Sequence, residues 1–424
     1  MHIISLPENV HSRYFVLGKD VLCELPELLK TAFPGCRPYI VADENTWLAA
    51  GKKAFDFLKE AGLAPEIARL FPGTPRLHAL DDYSNELAEI FPKNSVPVAI
   101  GSGVINDLVK RASGICGKNY CCVATAASVD GYTASGAALL VNGRKMTQPC
   151  PAPYALLADT AVLESAPKDM LSSGYGDLWA KVPAGAEWFI SNAITGEEIP
   201  EEVWNLVQPE LKNWVRDPKD LLKIFKGLAS TGFALQLYGD SRPGSGAEHM
   251  LSHVLDMEGY LFNGEGVSHG FQVAVGTVAT TKLLEFVASH SVDEIRKMTK
   301  PLENRAEREK NVDALLALDC YGNTKSVAMD KFLDGSAAIE RREKIYNTWE
   351  SLRPRIAAQI VSSTELIKSL HAAGCPALPE DIGLDKKRYR HTMATAQLIR
   401  KRYTVLDFLY EAGVYDAALD KLCQ

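Results

Sequence analysis

Three short apolar runs early in the chain constrain its fold more than any other feature: Pro38-Tyr39-Ile40-Val41-Ala42, Val96-Pro97-Val98-Ala99-Ile100 and Tyr120-Cys121-Cys122-Val123-Ala124. Each reads as a buried strand. The first ends at Asp43-Glu44-Asn45-Thr46, polar residues of the kind found where a strand turns into a helix. Residues 49–61 then carry helical spacing, stopped by Gly62. Strand, helix, strand in this order predicts a parallel sheet with crossover helices, as in a nucleotide-binding α/β domain.

After about residue 160 the texture changes to stretches rich in Ala, Leu, Glu and Lys with helical spacing: 221–237, 270–289, 312–318, 336–370 with an interruption at Pro354, and 393–412. A chain of 424 residues, 46% hydrophobic, exceeds the size at which one core usually splits. The expected organisation is an α/β dinucleotide-binding domain with a parallel sheet over 1–160, then an all-α domain over 161–424 carrying metal and substrate residues. The active site is expected in the cleft between them.

A net charge of −7 and a pI near 5.8 provide no basic field for nucleic acid or anionic lipid. The opening Met1-His2-Ile3-Ile4-Ser5-Leu6-Pro7-Glu8 lacks a signal peptide's features, and no apolar run approaches a membrane span. A cytoplasmic protein that binds small molecules, neither nucleic acid nor membrane, is the expectation. Nine cysteines, none in a CxxC pair, read as reduced thiols.

Gly101-Ser102-Gly103-Val104-Ile105 follows the second strand and leads into a helix, where glycines let backbone amides approach a pyrophosphate. It is not the GxGxxG fingerprint, since Asn106 holds the last position, and a plain strand-to-helix turn is an equal reading. Thr125-Ala126-Ala127-Ser128 follows the third strand, with Asp130 placed either to meet a polyol hydroxyl or to cap a turn.

The most informative cluster lies further on. Of nine histidines, His249, His253 and His269 fall within 21 residues. His249 and His253 are four apart and share a helix face; His269 precedes the next helix. Two imidazoles and a carboxylate with open positions make a catalytic site of the zinc type. Asp177, at the start of a helix after Gly174 and Gly176, can supply the carboxylate.

The GSGVIND loop, the TAASVDGYTASG segment, GYGDLWAK, SGAEHMLSH and the SHG triplet resemble, in that order, the sn-glycerol-1-phosphate dehydrogenases. These belong with the iron-type alcohol dehydrogenases, glycerol dehydrogenases and dehydroquinate synthases. The resemblance implies that Asp177, His249 and His269 are metal ligands for one divalent ion, zinc or nickel. It implies that Asp130, Asp177 and His253 touch substrate, with Asp177 and His253 catalytic. Gly101, Ser102, Gly103, Val104 and Ile105 would hold the pyrophosphate of NAD(P)H. Thr125, Ala126, Ala127 and Ser128 would line its nicotinamide side, with Asp43 and Asn45 near the adenosine. Ser135 is a further implied cofactor contact, displaced here by Ala134. A homodimer is also implied.

The activity so implied is reversible reduction of dihydroxyacetone phosphate to sn-glycerol 1-phosphate. Lys181, the 388–391 run and Arg400 to Arg402 are candidates for the substrate phosphate. Acidic Asp43 and Glu44 would repel a 2′-phosphate and favour NAD. A glycerol or other polyol dehydrogenase is the near alternative. A dehydroquinate synthase, which carries Glu where Asp177 stands, or a non-catalytic binding protein, is more distant.

Overall fold

The three apolar runs are strands, and three more join them. The computed structural model describes residues 4–141 and 144–424. The strands are β1 (Tyr14–Gly18), β2 (Arg37–Asp43), β3 (Glu66–Phe71), β4 (Ser95–Gly101), β5 (Cys121–Ala124), the hairpin pair β6 (Ala137–Val141) and β7 (Arg144–Gln148), and β8 (Ala155–Asp159). Six of them form a parallel sheet in the order β1-β8-β5-β4-β2-β3, while β6 and β7 pair antiparallel with each other. β4, β5 and β8 are buried along their whole length, as strands covered on both faces must be.

The strand order locates a ligand crevice. From β2 the chain moves outward to β3, whereas from β4 it moves the opposite way to β5. The connections leaving β2 and β4 therefore diverge. In open parallel sheets the space beyond the carboxyl ends at such a reversal is where ligands bind. The β2–β4 ladder reaches Val41 opposite Ala99, two residues before Asp43 and Gly101. The segments read as cofactor candidates thus flank this reversal.

The chain divides into two compact units, Met1–Leu178 with Asn205–Ser241, and Trp179–Trp204 with Arg242–Gln424. By this grouping the first unit runs past residue 160 to Leu178 and takes in residues 205–241. The cause is aromatic packing. In the Leu221–Tyr238 helix, Phe225 and Phe233 lie 6.3 and 5.9 Å from Phe15 of β1, ring to ring, and Phe225 lies 5.4 Å from Tyr132. Those rings bury their area against β1 and the Asp130–Tyr132 turn.

The second unit is helical apart from a two-residue ladder between Leu261–Phe262 and Glu265–Gly266. Its core gathers round the His269–Ser289 helix and includes Trp349 stacked on Phe408 at 5.0 Å. By length and composition alone this helix could cross a membrane, but 78% of its apolar window is buried within the protein. Two helix limits also differ. The Gly335–Gln359 helix runs through Pro354 and ends before Ser362, whose side chain caps the following Ser363–Ala372 helix. The 393–412 stretch is split between Lys386–Ala396 and Val405–Glu411, where Thr404 and Asp407 form a capping box.

Candidate active site

In the first unit the loop after β4 is shaped by its glycines. A Cβ on Gly101 would stand 2.4 Å from that of Ile105, and one on Gly103 would stand 3.3 Å from Val129. Ser102 is the N-cap of the Gly103–Ile115 helix, and the Asn106 amide donates to its carbonyl at 3.0 Å. The amides of Gly103, Val104 and Ile105 therefore precede the helix's own ladder and form a donor set suited to a phosphate. Ile105 itself is wholly buried, so only its backbone can serve a ligand. Asp43 accepts from the Thr46 amide at 2.8 Å and caps its own helix, while Asn45 donates to the Gly73 carbonyl at 3.0 Å.

Thr125, Ala126, Ala127 and Ser128 are buried, and the Thr125 amide prolongs the β4–β5 pairing by donating to Gly101 at 3.1 Å. The next helix, Lys168–Trp179, fits against this segment only through Gly174, where a Cβ would fall 1.8 Å from the Ala127 carbonyl oxygen. Three residues on, the fully buried Asp177 carboxylate accepts from the Asp130 amide at 2.9 Å. The structure thus brings Asp130 and Asp177 together. Ser135 is exposed, ahead of the β6–β7 hairpin.

Two residues that the sequence reading passed over hold this region. Lys110 is fully buried and donates to the carbonyls of Gly131 and Gly136 at 2.7 and 3.1 Å. Asn106 accepts from Tyr120 at 3.0 Å and approaches the Tyr132 carbonyl at 3.5 Å. The sequence signal was available, since a lysine and an asparagine on the buried face of an amphipathic helix need partners.

The second unit assembles the histidines. Ring centroids of His249 and His269 are 5.3 Å apart, with His253 at 6.5 and 6.4 Å from them. His249 lies on the Ala247–Met257 helix, and its Nδ1 is 2.9 Å from the buried Glu248 carboxylate. A carboxylate can only accept, so His249 carries its proton on Nδ1 and presents Nε2. His269 is set by a longer chain of bonds. Gln272 donates through Nε2 to Asp256 at 3.2 Å and to the Val267 carbonyl at 3.0 Å. Its Oε1 then accepts from the Ser252 hydroxyl at 2.8 Å, and that hydroxyl lies 3.1 Å from His269 Nδ1. The serine proton being committed, His269 also donates from Nδ1 and presents Nε2.

Beneath the histidine helix, fully buried Glu187 accepts from the amides of Ala247 and Val405 at 2.9 and 2.8 Å. Burial, then the neighbouring Glu248 charge, push the Glu187 carboxyl up to about 8. Gly246 leaves room for it, since a Cβ there would lie 1.8 Å from the Glu187 oxygen.

The family of iron-containing alcohol dehydrogenases matches residues 16–167. A glycerol-1-phosphate dehydrogenase [NAD(P)+] of Halalkalibacterium halodurans is 30% identical over 304 residues, covering 69% of this chain and 76% of that protein. One from Bacillus velezensis is 30% identical, covering 62% and 70%. The chain belongs to the glycerol-1-phosphate dehydrogenase family. Another family member, from Bacillus subtilis, aligns along 96% of this chain at 27% identity, so the family likeness continues through both units. The fold is that of an iron-containing alcohol dehydrogenase from Thermococcus thioreducens, with a TM-score of 0.60, 15% identity and 97% and 99% of the two chains covered.

In this glycerol-1-phosphate dehydrogenase family member the cations considered for a phosphate fall into two groups. The 388–391 run is engaged elsewhere: Arg388 pairs with Glu258, and Arg390 with Asp416 and Asp420 at 3.1 and 3.0 Å. Lys401 pairs with Asp330 at 2.9 Å. Arg402 differs. Its guanidinium donates to the carbonyl and hydroxyl of Ser245 at 2.7 and 3.1 Å, four residues before His249.

Proposed function

We propose that this family member reduces dihydroxyacetone phosphate to sn-glycerol 1-phosphate, reversibly, with NAD(P)H and one divalent ion held by Asp177, His249 and His269. The observation that carries the reading is the pair of imidazoles whose Nδ1 atoms are both held by inner partners, which makes Nε2 the lone-pair nitrogen of each. In this reading Asp177 supplies the oxygen that, with the two imidazole nitrogens, gives the mixed donor set such an ion takes. When bound, the ion supplies Lewis-acid polarisation of the carbonyl and the nicotinamide supplies hydride.

The protein's own residues supply position and charge. Asp177, fixed through the Asp130 amide, contributes a negative oxygen ligand. His253, the third corner of the imidazole triangle, passes the proton to the product hydroxyl. Arg402 receives the substrate phosphate, and the amides opening the Gly103–Ile115 helix receive the cofactor pyrophosphate. Asp43 and Glu44 at the end of β2 favour NAD over NADP.

The test is NADH oxidation by protein supplied with zinc or nickel, with dihydroxyacetone phosphate set beside dihydroxyacetone. Turnover of the phosphorylated ketone, absent in His249→Ala, is expected. In Arg402→Gln its KM rises about 10- to 100-fold while the unphosphorylated ketone is unaffected. Preference for dihydroxyacetone would make the chain a polyol dehydrogenase, and turnover of neither ketone would overturn the reading.

A further inference from the structure

The second unit holds a cavity of about 840 Å³ that none of Asp177, His249, His253 and His269 lines. Its volume is in the range of metabolite sites, roughly 300–1,000 Å³. Seven cationic and five carboxylate side chains line it, a local excess of positive charge in a chain of net charge −7.

Three of the five carboxylates are paired with cations and the other two are hydrogen-bonded to neutral donors. Asp407 is 2.7 Å from Lys331, Glu411 is 3.2 Å from Arg341, and Asp416 is 2.7 Å from Lys300. Glu303 accepts from Tyr410 at 2.5 Å, and Glu307 closes the capping box of its own helix. Two lining guanidinium groups are left, among the described residues, with neutral partners only. Arg308 is 4% exposed; its Nη2 donates to Gln397 at 2.9 Å, while its Nε is buried without a partner. Arg342 donates to the carbonyls of Glu411 and Lys300 at 2.9 and 3.0 Å. A buried cation that lacks a counter-charge is costly. The Tyr410 ring, 4.4 Å from the Arg308 guanidinium, offsets part of this, with Phe332 at 5.8 Å.

We propose that this cavity is a binding site for a small organic oxyanion, a phosphate or carboxylate group on an apolar or aromatic body. The oxyanion supplies the missing counter-charge to Arg308 and Arg342, and the body packs against Phe332, Leu333 and Leu419 on the wall. The site stands apart from the proposed reaction and does not depend on it. It is nonetheless joined to the histidines: the Lys386–Ala396 helix, which lends Arg390 and Ala394 to the wall, packs against the Ala247–Met257 helix.

Titration calorimetry on the full chain tests this with phenyl phosphate and benzoate as probes and phenol as the neutral control. At least one anionic probe is expected to bind and phenol is not. Binding weakens on the order of tenfold or more in Arg308→Gln and in Arg342→Gln. It persists in His249→Ala and Arg402→Gln, which separates this site from the proposed substrate site. Should Arg308→Gln lose its cooperative melting, Arg342→Gln decides. The proposal is overturned by absence of heat with both anions at millimolar concentration, by equal binding in the two cavity variants, or by loss of binding in Arg402→Gln instead.

Discussion

The glycine loops of the first unit and the histidine cluster of the second are built by opposite means. Around Gly101 and Gly174 the geometry depends on what is missing: a methyl group at either position would fall within 2.4 Å of neighbouring atoms. Around His249 and His269 it depends on what is present, a buried carboxylate and a serine-glutamine chain that commit each Nδ1. The first arrangement is broken by adding an atom and tolerates no graded change. The second loses its hold by steps, because each outer partner removed leaves the imidazole in place but free to turn.

The largest effect should come from the proposed ligands themselves. His269→Ala is expected to lower turnover of dihydroxyacetone phosphate by about a thousandfold or more, the rate equivalent of the several kcal/mol a Lewis acid contributes. Steady-state kinetics beside a metal assay checks this. Next is Gly174→Ala, whose Cβ would meet the Ala127 carbonyl at 1.8 Å. A loss of about 3 kcal/mol or more is expected from overpacking backbone, read by denaturant unfolding. If stability is unchanged, the close approach of helix to loop is not what positions Asp177.

Glu187 gives a dependence on pH. Its carboxyl is raised to about 8 in the folded chain, so between its unfolded value and pH 8 the folded state binds more protons than the unfolded one. The stability it contributes is therefore full at low pH and declines as pH rises toward 8. Unfolding of the metal-free chain at several pH values should show that decline, and Glu187→Gln should flatten it.

Smaller effects sharpen the contrast between the units. Glu248→Gln should weaken metal binding by about 10- to 100-fold without unfolding the chain. Ser252→Ala, which frees the His269 ring through a neutral partner, should cost about tenfold. Equal metal affinity in all three proteins, measured by competition with a chelating dye, would remove orientation of the imidazoles from the account.

Much of the first unit was legible because buried parallel strands announce themselves by continuous apolar runs, as β2, β4 and β5 do. β8 did not, since Ala155-Leu156-Leu157-Ala158 has the composition of a helix and becomes a strand only between β1 and β5. β3, at the sheet edge, has Glu66 and Arg69 among its apolar residues and gave no such run. The return of the Leu221–Tyr238 helix to the first unit rests on Phe225 and Phe233 meeting Phe15, contacts across more than two hundred positions. At the site, residue types and spacing revealed the three histidines. The partners that orient them, Glu248 and Ser252, stood in the same motif unread, because a hydrogen bond to Nδ1 is a matter of distance and not of spacing.

The most direct measurement is a titration of metal-free protein with zinc or nickel, following NADH oxidation in the presence of dihydroxyacetone phosphate. The account predicts activity that rises linearly and levels at one ion per chain, with no such break in Asp177→Ala or His249→Ala. Full activity without added ion, or an unchanged break in either variant, would contradict it.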